Sequence, residues 1–177
     1  MTDETIMELT TSSETLEEGF KCLVVKYQQR LYHVIRNRVS SHEDADDILQ
    51  DTFLKVFKNI QGFEGRSSLF TWMYRIATNE VNNYHKKNKR LKVDVLDDKG
   101  PYPAESYVNT TALEEKIEVI ISALPTRQQM VFRMRYYDEL TYKEIAALLD
   151  LTEGSLKASF HHAVKKIEQE LIASQIQ

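Results

Sequence analysis

Phe63-Glu-Gly-Arg-Ser-Ser-Leu-Phe-Thr-Trp-Met-Tyr-Arg-Ile-Ala-Thr-Asn-Glu-Val-Asn-Asn-Tyr-His-Lys-Lys-Asn-Lys-Arg-Leu-Lys92 reads as a loop running into a long helix. Gly62 and Gly65 bracket the loop, and Ser67 and Ser68 are good capping residues. Leu69, Trp72, Met73, Ile76, Ala77, Val81 and Tyr84 then recur at helical spacing as an apolar stripe. Arg75, Asn79, Asn83 and Lys86 follow at steps of three or four, a polar face rich in hydrogen-bonding groups. From Arg66 to Lys92 there are seven Lys/Arg against one acid, Glu80, so the helix end that holds Lys86 and Lys87 is strongly basic. Taken alone, Trp72 reads as core and the basic run as a solvated helix end. Taken together, planes for stacking, amides for base edges and cations for phosphate suit single-stranded or locally opened nucleic acid.

The remainder of the chain is acidic. Its 177 residues carry a net charge of −4, although proteins that grip DNA unaided draw most of their affinity from a basic domain. The chain is therefore expected to bind DNA poorly alone and to need a partner that presents it. Length allows one domain or two small ones. No apolar run approaches a bilayer span, and residues 1–18 are too acidic and polar for a signal sequence. The single cysteine, Cys22, excludes an intrachain disulfide, and the expected location is cytoplasmic.

In chain order, residues 1–14 read as a frayed, acidic terminus. Leu16, Phe20, Leu23, Tyr27, Leu31, Val34 and Ile35 mark an amphipathic helix ending near Val39. Ser41 can cap a second helix over about 43–60, with Glu43 and Asp44 in its first turn, where the helix dipole favours acids. Asp47, Gln50 and Asp51, beside aromatics taken as exposed, look like a docking surface for a basic partner. A metal site from Asp44, Asp47 and Asp51 shares the spacing, but no histidine or further carboxylate cluster supports it. Residues 93–112 hold two of the three prolines, a glycine and several acids without periodicity, which predicts a flexible linker.

Helices are expected again over 113–124, from Pro125 (as first helical residue) to about Tyr137, from the capping box Thr141…Glu144, and from Glu153 to about Leu171. The last two, joined by Asp150-Leu151-Thr152, form a helix-turn-helix whose second member can enter a major groove. Its exposed candidates are Ser155, Lys157, Ala158, Ser159, His161, His162 and Lys165. The competing reading is an αα-hairpin with no DNA role. The architecture expected is all-α: two small helical domains, residues 1–92 and 113–177, joined by the linker.

Asp44-Ala-Asp-Asp-Ile-Leu-Gln-Asp-Thr-Phe53, the segment Phe63 to Asn79, the proline-bearing linker, and Leu124-Pro…Tyr142-Lys-Glu-Ile-Ala…Glu153-Gly-Ser-Leu-Lys157 together resemble bacterial RNA polymerase sigma factors of the sigma-70 family. The short extracytoplasmic-function (ECF) kind is the match, over about residues 16–172. The resemblance implies a first domain, region 2-like, that recognises and melts the minus-ten promoter element. Asp47, Gln50, Asp51, Phe53 and Phe57 then fall on positions that dock on the polymerase clamp. The loop with Phe63, Gly65, Arg66, Ser67 and Ser68 falls where a non-template base is flipped and captured, with Arg75, Asn79, Asn83, Lys86 and Lys87 along the strand. A second, region 4-like domain would read the minus-thirty-five duplex through Thr152, Glu153, Ser155, Lys157, Ala158, His161, His162 and Lys165. Where the family's recognition helix is usually arginine-rich, this one has Ala158, Ser159, His162 and Val164, so contact with the upstream element is expected to be weaker or differently directed.

The implied partners are core RNA polymerase, promoter DNA and an anti-sigma protein, the free chain being a monomer without membrane insertion. No cofactor or metal is called for, and scattered histidines without a phosphate loop argue against an enzyme. Two other classes remain open on the residues alone: an autonomous helix-turn-helix regulator of closed duplex, and a pure protein-interaction module.

Overall fold

The computed structural model describes the backbone of residues 1–91 and 112–173, and side chains over 1–88 and 115–173. All but one residue of the expected linker lies outside these ranges; Ala112 already begins a helix. Among the described residues every regular element is helical. The chain divides into two compact units, Met1–Tyr102 and Pro103–Gln177.

The first unit holds α1 (Asp3–Thr11), α2 (Leu16–Arg36), α3 (His42–Asn59), a single 3-10 turn (Ile60–Gly62) and α4 (Leu69–Leu91). Helix α1 corrects the expectation of a frayed terminus. Thr2 caps it by accepting from the Thr5 amide, and Ile6 is fully buried against α2. The approach is close because Gly19 has no side chain: a Cβ there would lie 2.8 Å from Leu9 Cβ. Thr15 Oγ1 donates to the Leu9 carbonyl at 2.7 Å, closing the turn between the helices. Asp3 accepts from Lys26 Nζ at 2.6 Å and from the Tyr27 hydroxyl. Burial pushes its carboxyl up, but the two hydrogen bonds and the Lys26 charge outweigh that and hold it below the usual value.

Helices α2, α3 and α4 share a core of Leu23, Leu31, Ile35, Ala45, Ile48, Val56, Ile60, Met73, Ala77 and Val81. Helix α4 is buried more widely than one stripe allows, since Phe70, Thr71 and Tyr74 are also buried. Phe70 lies beside Tyr27 and under the Arg30 guanidinium, 3.5 Å from the ring centroid. Arg38, itself buried, donates to the Val34 carbonyl and to the Tyr74 hydroxyl. His85 Nε2 lies 2.9 Å from the Arg38 carbonyl, so the far end of α4 is tied to the α2–α3 turn.

The second unit contains α5 (Ala112–Ser122), α6 (Thr126–Tyr136), α7 (Tyr142–Leu149) and α8 (Glu153–Ala173). Ile121, Leu124, Phe132, Ala163 and Ile167 form its core, flanked by Phe160 and Val164. Pro125 is the cap of α6 rather than its first residue: its ψ of 138° is extended while its carbonyl accepts from the Gln129 amide. Thr141 and Glu144 form the expected capping box. Asp150 ends α7 in the left-handed conformation, φ 54°, which turns the chain into α8. Among the described residues no helix is long and apolar enough to cross a membrane.

Candidate nucleic-acid interface

Three surfaces carry the residues singled out by sequence, two on the first unit and one on the second. The loop before α4 needs glycine where it turns because Gly65 has φ +69°; the constraint is the backbone and not space, since an added Cβ would meet nothing within 4 Å. Phe63 is half-buried and leans on Trp72, ring centroids 5.2 Å apart. Trp72 is accordingly half-buried too, and the reading of it as core is corrected: it forms an aromatic ledge with Phe63 under the loop. Arg66 pairs with Glu64 at 2.6 Å in full solvent, an interaction worth little by itself. Ser68 Oγ accepts from the Thr71 amide at 3.1 Å and so caps α4. Ser67, beside it, donates to the Ser68 carbonyl.

Beyond the loop, Arg75, Asn79, Asn83, Lys86 and Lys87 are all exposed on α4. The structure brings three of them, Asn79, Asn83 and Lys86, into one open groove of about 480 Å³ between α3 and α4. The rest of its lining is Lys55 and Asn59 from α3 with Ile76, Glu80 and Asn82 from α4. Lys55 and Asn59 were not legible as site residues, because helical spacing on α3 says nothing about which α4 residues lie opposite. Lys55 Nζ meets Glu80 Oε1 at 2.6 Å across the groove, and Asn83 Nδ2 donates to the same oxygen at 3.2 Å. At the end of α4, Tyr84 is pushed up from its ordinary value by burial and by its hydrogen bond to the Asp44 carboxylate, with Asn88 acting the other way.

The second surface is on α3. Asp47, Gln50 and Asp51 are exposed, and Leu54 completes the i, i+3, i+4, i+7 face at 51 % exposure. Leu54 was missed because the docking surface was read from charged, amide and aromatic side chains, and Leu54 is none of these. Phe57 is 37 % exposed, its ring 4.9 Å from Phe20. Phe53 corrects the picture of exposed aromatics: it is buried and meets Phe20 edge-on at 6.2 Å, so it supports the face from beneath. Asp44 is turned toward Ser41 and Tyr84, and among the described residues no group of three or more ligating side chains could hold a metal ion.

The third surface is the first half of α8. Thr152 caps it, accepting from the Ser155 amide at 3.3 Å. Ser155 Oγ donates to the Thr152 carbonyl and accepts from Arg127 Nη2, both at 2.9 Å. Arg127, exposed on α6, therefore adds a cation at the start of α8 that the sequence reading did not include. Glu153, Lys157, Ala158, His161, His162 and Lys165 are exposed, and Lys157 lies 5.7 Å from the Tyr142 ring. Ser159 Oγ is committed to the Ser155 carbonyl at 2.8 Å, which removes it as a free donor.

Comparison with known proteins gives the sigma-70 region 2 family over residues 23–91 and the sigma-70 region 4 family over 114–167. The chain is 27 % identical over 184 residues to the ECF RNA polymerase sigma-E factor of Escherichia coli (strain K12), covering 97 % of this chain and 95 % of that protein. The protein of the same name from Haemophilus influenzae is 26 % identical at 97 % and 96 % coverage. Among solved structures, CnrH in complex with the cytosolic domain of CnrY is similar at TM-score 0.66 and 20 % identity, over 97 % of each chain. The sigma factor RpoE of Bartonella quintana, in complex with the anti-sigma factor NepR, is similar at TM-score 0.58 and 21 % identity, covering 86 % of this chain and 96 % of that one. At these identities the structures speak to the fold.

Proposed function

The chain is an RNA polymerase sigma factor of the ECF branch of the sigma-70 family, and from that premise we propose how its surfaces divide the work. Residues 1–92 act as the clamp-binding and minus-ten domain, 93–112 as the connecting linker, and 113–177 as the minus-thirty-five domain. Asp47, Gln50, Asp51, Leu54 and Phe57 dock on core polymerase. The Phe63–Ser68 loop captures a flipped non-template base over the Phe63–Trp72 ledge, which offsets part of the few kcal/mol that unstacking costs. Arg75, Asn79, Asn83, Lys86 and Lys87 carry the strand away from it. On α8, Lys157, Ala158, His161, His162 and Lys165 face the upstream duplex, with Thr152, Glu153 and Ser155 at its entry.

The observation that carries this reading is the separation of charge on the first unit. The acidic face lies on α3 alone, and the amide- and lysine-lined groove uses other residues of α3 together with α4. An acidic chain can then dock on a basic machine that supplies non-specific phosphate contacts, while its own cations stay on the strand. The protein works as a monomeric, non-catalytic subunit in the cytoplasm, without a cofactor. The Bartonella quintana sigma factor solved with the anti-sigma factor NepR supports an anti-sigma protein as its regulator. Asp47→Lys with Gln50→Ala tests the docking face: core binding by fluorescence anisotropy should weaken at least about a hundredfold, as truncating and reversing hot-spot contacts does. Helicity by circular dichroism should not change. Wild-type affinity in the double variant removes the docking assignment.

A further inference from the structure

Resting on the assignment of α4 to the melted minus-ten strand, we propose that Glu80 makes the α3–α4 groove favour a base bearing an exocyclic amine over thymine. Glu80 is out of place on a surface meant for a polyanion. It is the single acid between Arg66 and Lys92, yet its side chain is only 12 % exposed and lines the groove. Lys55 neutralises it at 2.6 Å, so its effect on the groove is directional rather than a broad negative field.

The direction is set by hydrogen bonding. A carboxylate only accepts, so Asn83 must turn its amide nitrogen toward Glu80 Oε1, as observed at 3.2 Å, and this leaves Asn83 Oδ1 for whatever enters. Asn59 is held the same way, its Nδ2 donating to the Lys55 carbonyl at 2.7 Å, with Oδ1 left over. Glu80 Oε2 has no partner among the described residues. Three of the lining residues, Glu80, Asn83 and Asn59, thus each keep an acceptor oxygen uncommitted. Asn79 and Asn82 can turn either end of their amides to a base, Lys55 is held by Glu80, Ile76 is an apolar contact and Lys86 completes the lining. Acceptors disfavour phosphate and carbonyl edges. The exocyclic amines of adenine, cytosine and guanine suit them, whereas thymine offers only its ring N3–H, set between two carbonyls that the same acceptors repel. Phosphate goes to Lys86 and Lys87, and the base edge goes in.

The test uses the full chain with core polymerase and fluorescent fork-junction DNAs in which each minus-ten non-template position is varied over the four bases. The preferred base is also replaced by its amine-free analogue: purine for adenine, inosine for guanine, 2-pyrimidinone for cytosine. At one position, loss of the amine should weaken wild-type holoenzyme binding about tenfold. In Glu80→Gln, whose new amide can donate as well as accept and no longer dictates the Asn83 rotamer, that penalty should fall below about twofold. Binding to core, made through the α3 face, serves as the control for folding. A tenfold penalty retained in Glu80→Gln overturns the role of Glu80 and leaves the minus-ten reading standing. A wild-type holoenzyme indifferent to the base at every position overturns the minus-ten reading, and this inference with it.

Discussion

Helices α4 and α8 are both assigned to DNA, but they are built differently. The polar side of α4 is walled by α3, and its side chains are tied across that gap, Lys55 to Glu80 to Asn83. The outward side of α8 lies open, and the bonds of its hydroxyl groups are spent locally: Ser155 on Thr152 and Arg127, Ser159 on Ser155. A walled groove with fixed amides can distinguish bases in a single strand, whose edges are free to enter. An open helix with Lys157 and Lys165 among Ala158, His161 and His162 has cations to orient on a duplex and few groups to read it. This comparison suggests that base discrimination lies mostly in the first unit and placement mostly in the second.

The largest expected effect comes from stripping each helix in turn. Asn79→Ala with Asn83→Ala should reduce promoter opening by core-loaded protein about a hundredfold, two lost base contacts at about 1–3 kcal/mol each. Lys157→Ala with Lys165→Ala should cost about tenfold or less. Permanganate reactivity of opened thymines and run-off transcription measure both. The comparison breaks if the α8 pair proves the more damaging.

A second experiment sharpens the same contrast through salt. If Lys157 and Lys165 each neutralise one phosphate, removing both should flatten the slope of log K against log salt by about 1.8. The α4 asparagine pair should lower affinity at every salt concentration and leave the slope where it was. Equal slopes in all three proteins would show that the α8 lysines meet no phosphate.

Much of this arrangement could be read before any coordinates. Helix type, the Ser41 and Thr141 caps and the exposed amides of α4 follow from spacing and local hydrogen bonding, which a sequence displays directly. What escaped depends on a second element. Phe70 and Tyr74 are buried because α2, through Tyr27 and Arg30, and the turn after it, through Arg38, cover a flank of α4 that a single stripe leaves to solvent. Phe53 and Phe57 are one turn apart and chemically alike, and it is Phe20, more than thirty residues earlier, that receives both while leaving Phe57 partly outside. Lys55 and Asn59 joined the groove only when α4 lay beside them. Helix α1 escaped for the same reason, since nine residues with one fully buried apolar side chain do not announce a helix. Its partner is a glycine ten residues beyond Leu9 and a Lys-Tyr pair further on.

That tether gives the smallest effect and one specific to the first unit. Trp72 is the chain's single tryptophan, so its fluorescence reports unfolding of this unit and not of the other. Asp3 has a depressed carboxyl, so its contribution is complete above the unfolded value near 3.8 and is lost as pH falls through the lower folded value. Asp3→Asn should therefore lower the Trp72 melting midpoint at pH 7 by about 2–4 °C, a modest figure because the ion pair is more than a third exposed. The gap between wild type and variant should begin to narrow as pH falls below 3.8, where the unfolded chain takes up the proton, and close once pH is below the lower folded value. A gap that does not narrow at all as pH falls below 3.8 would mean that α1 is held by Ile6 and the Gly19 contact, with the charge contributing nothing.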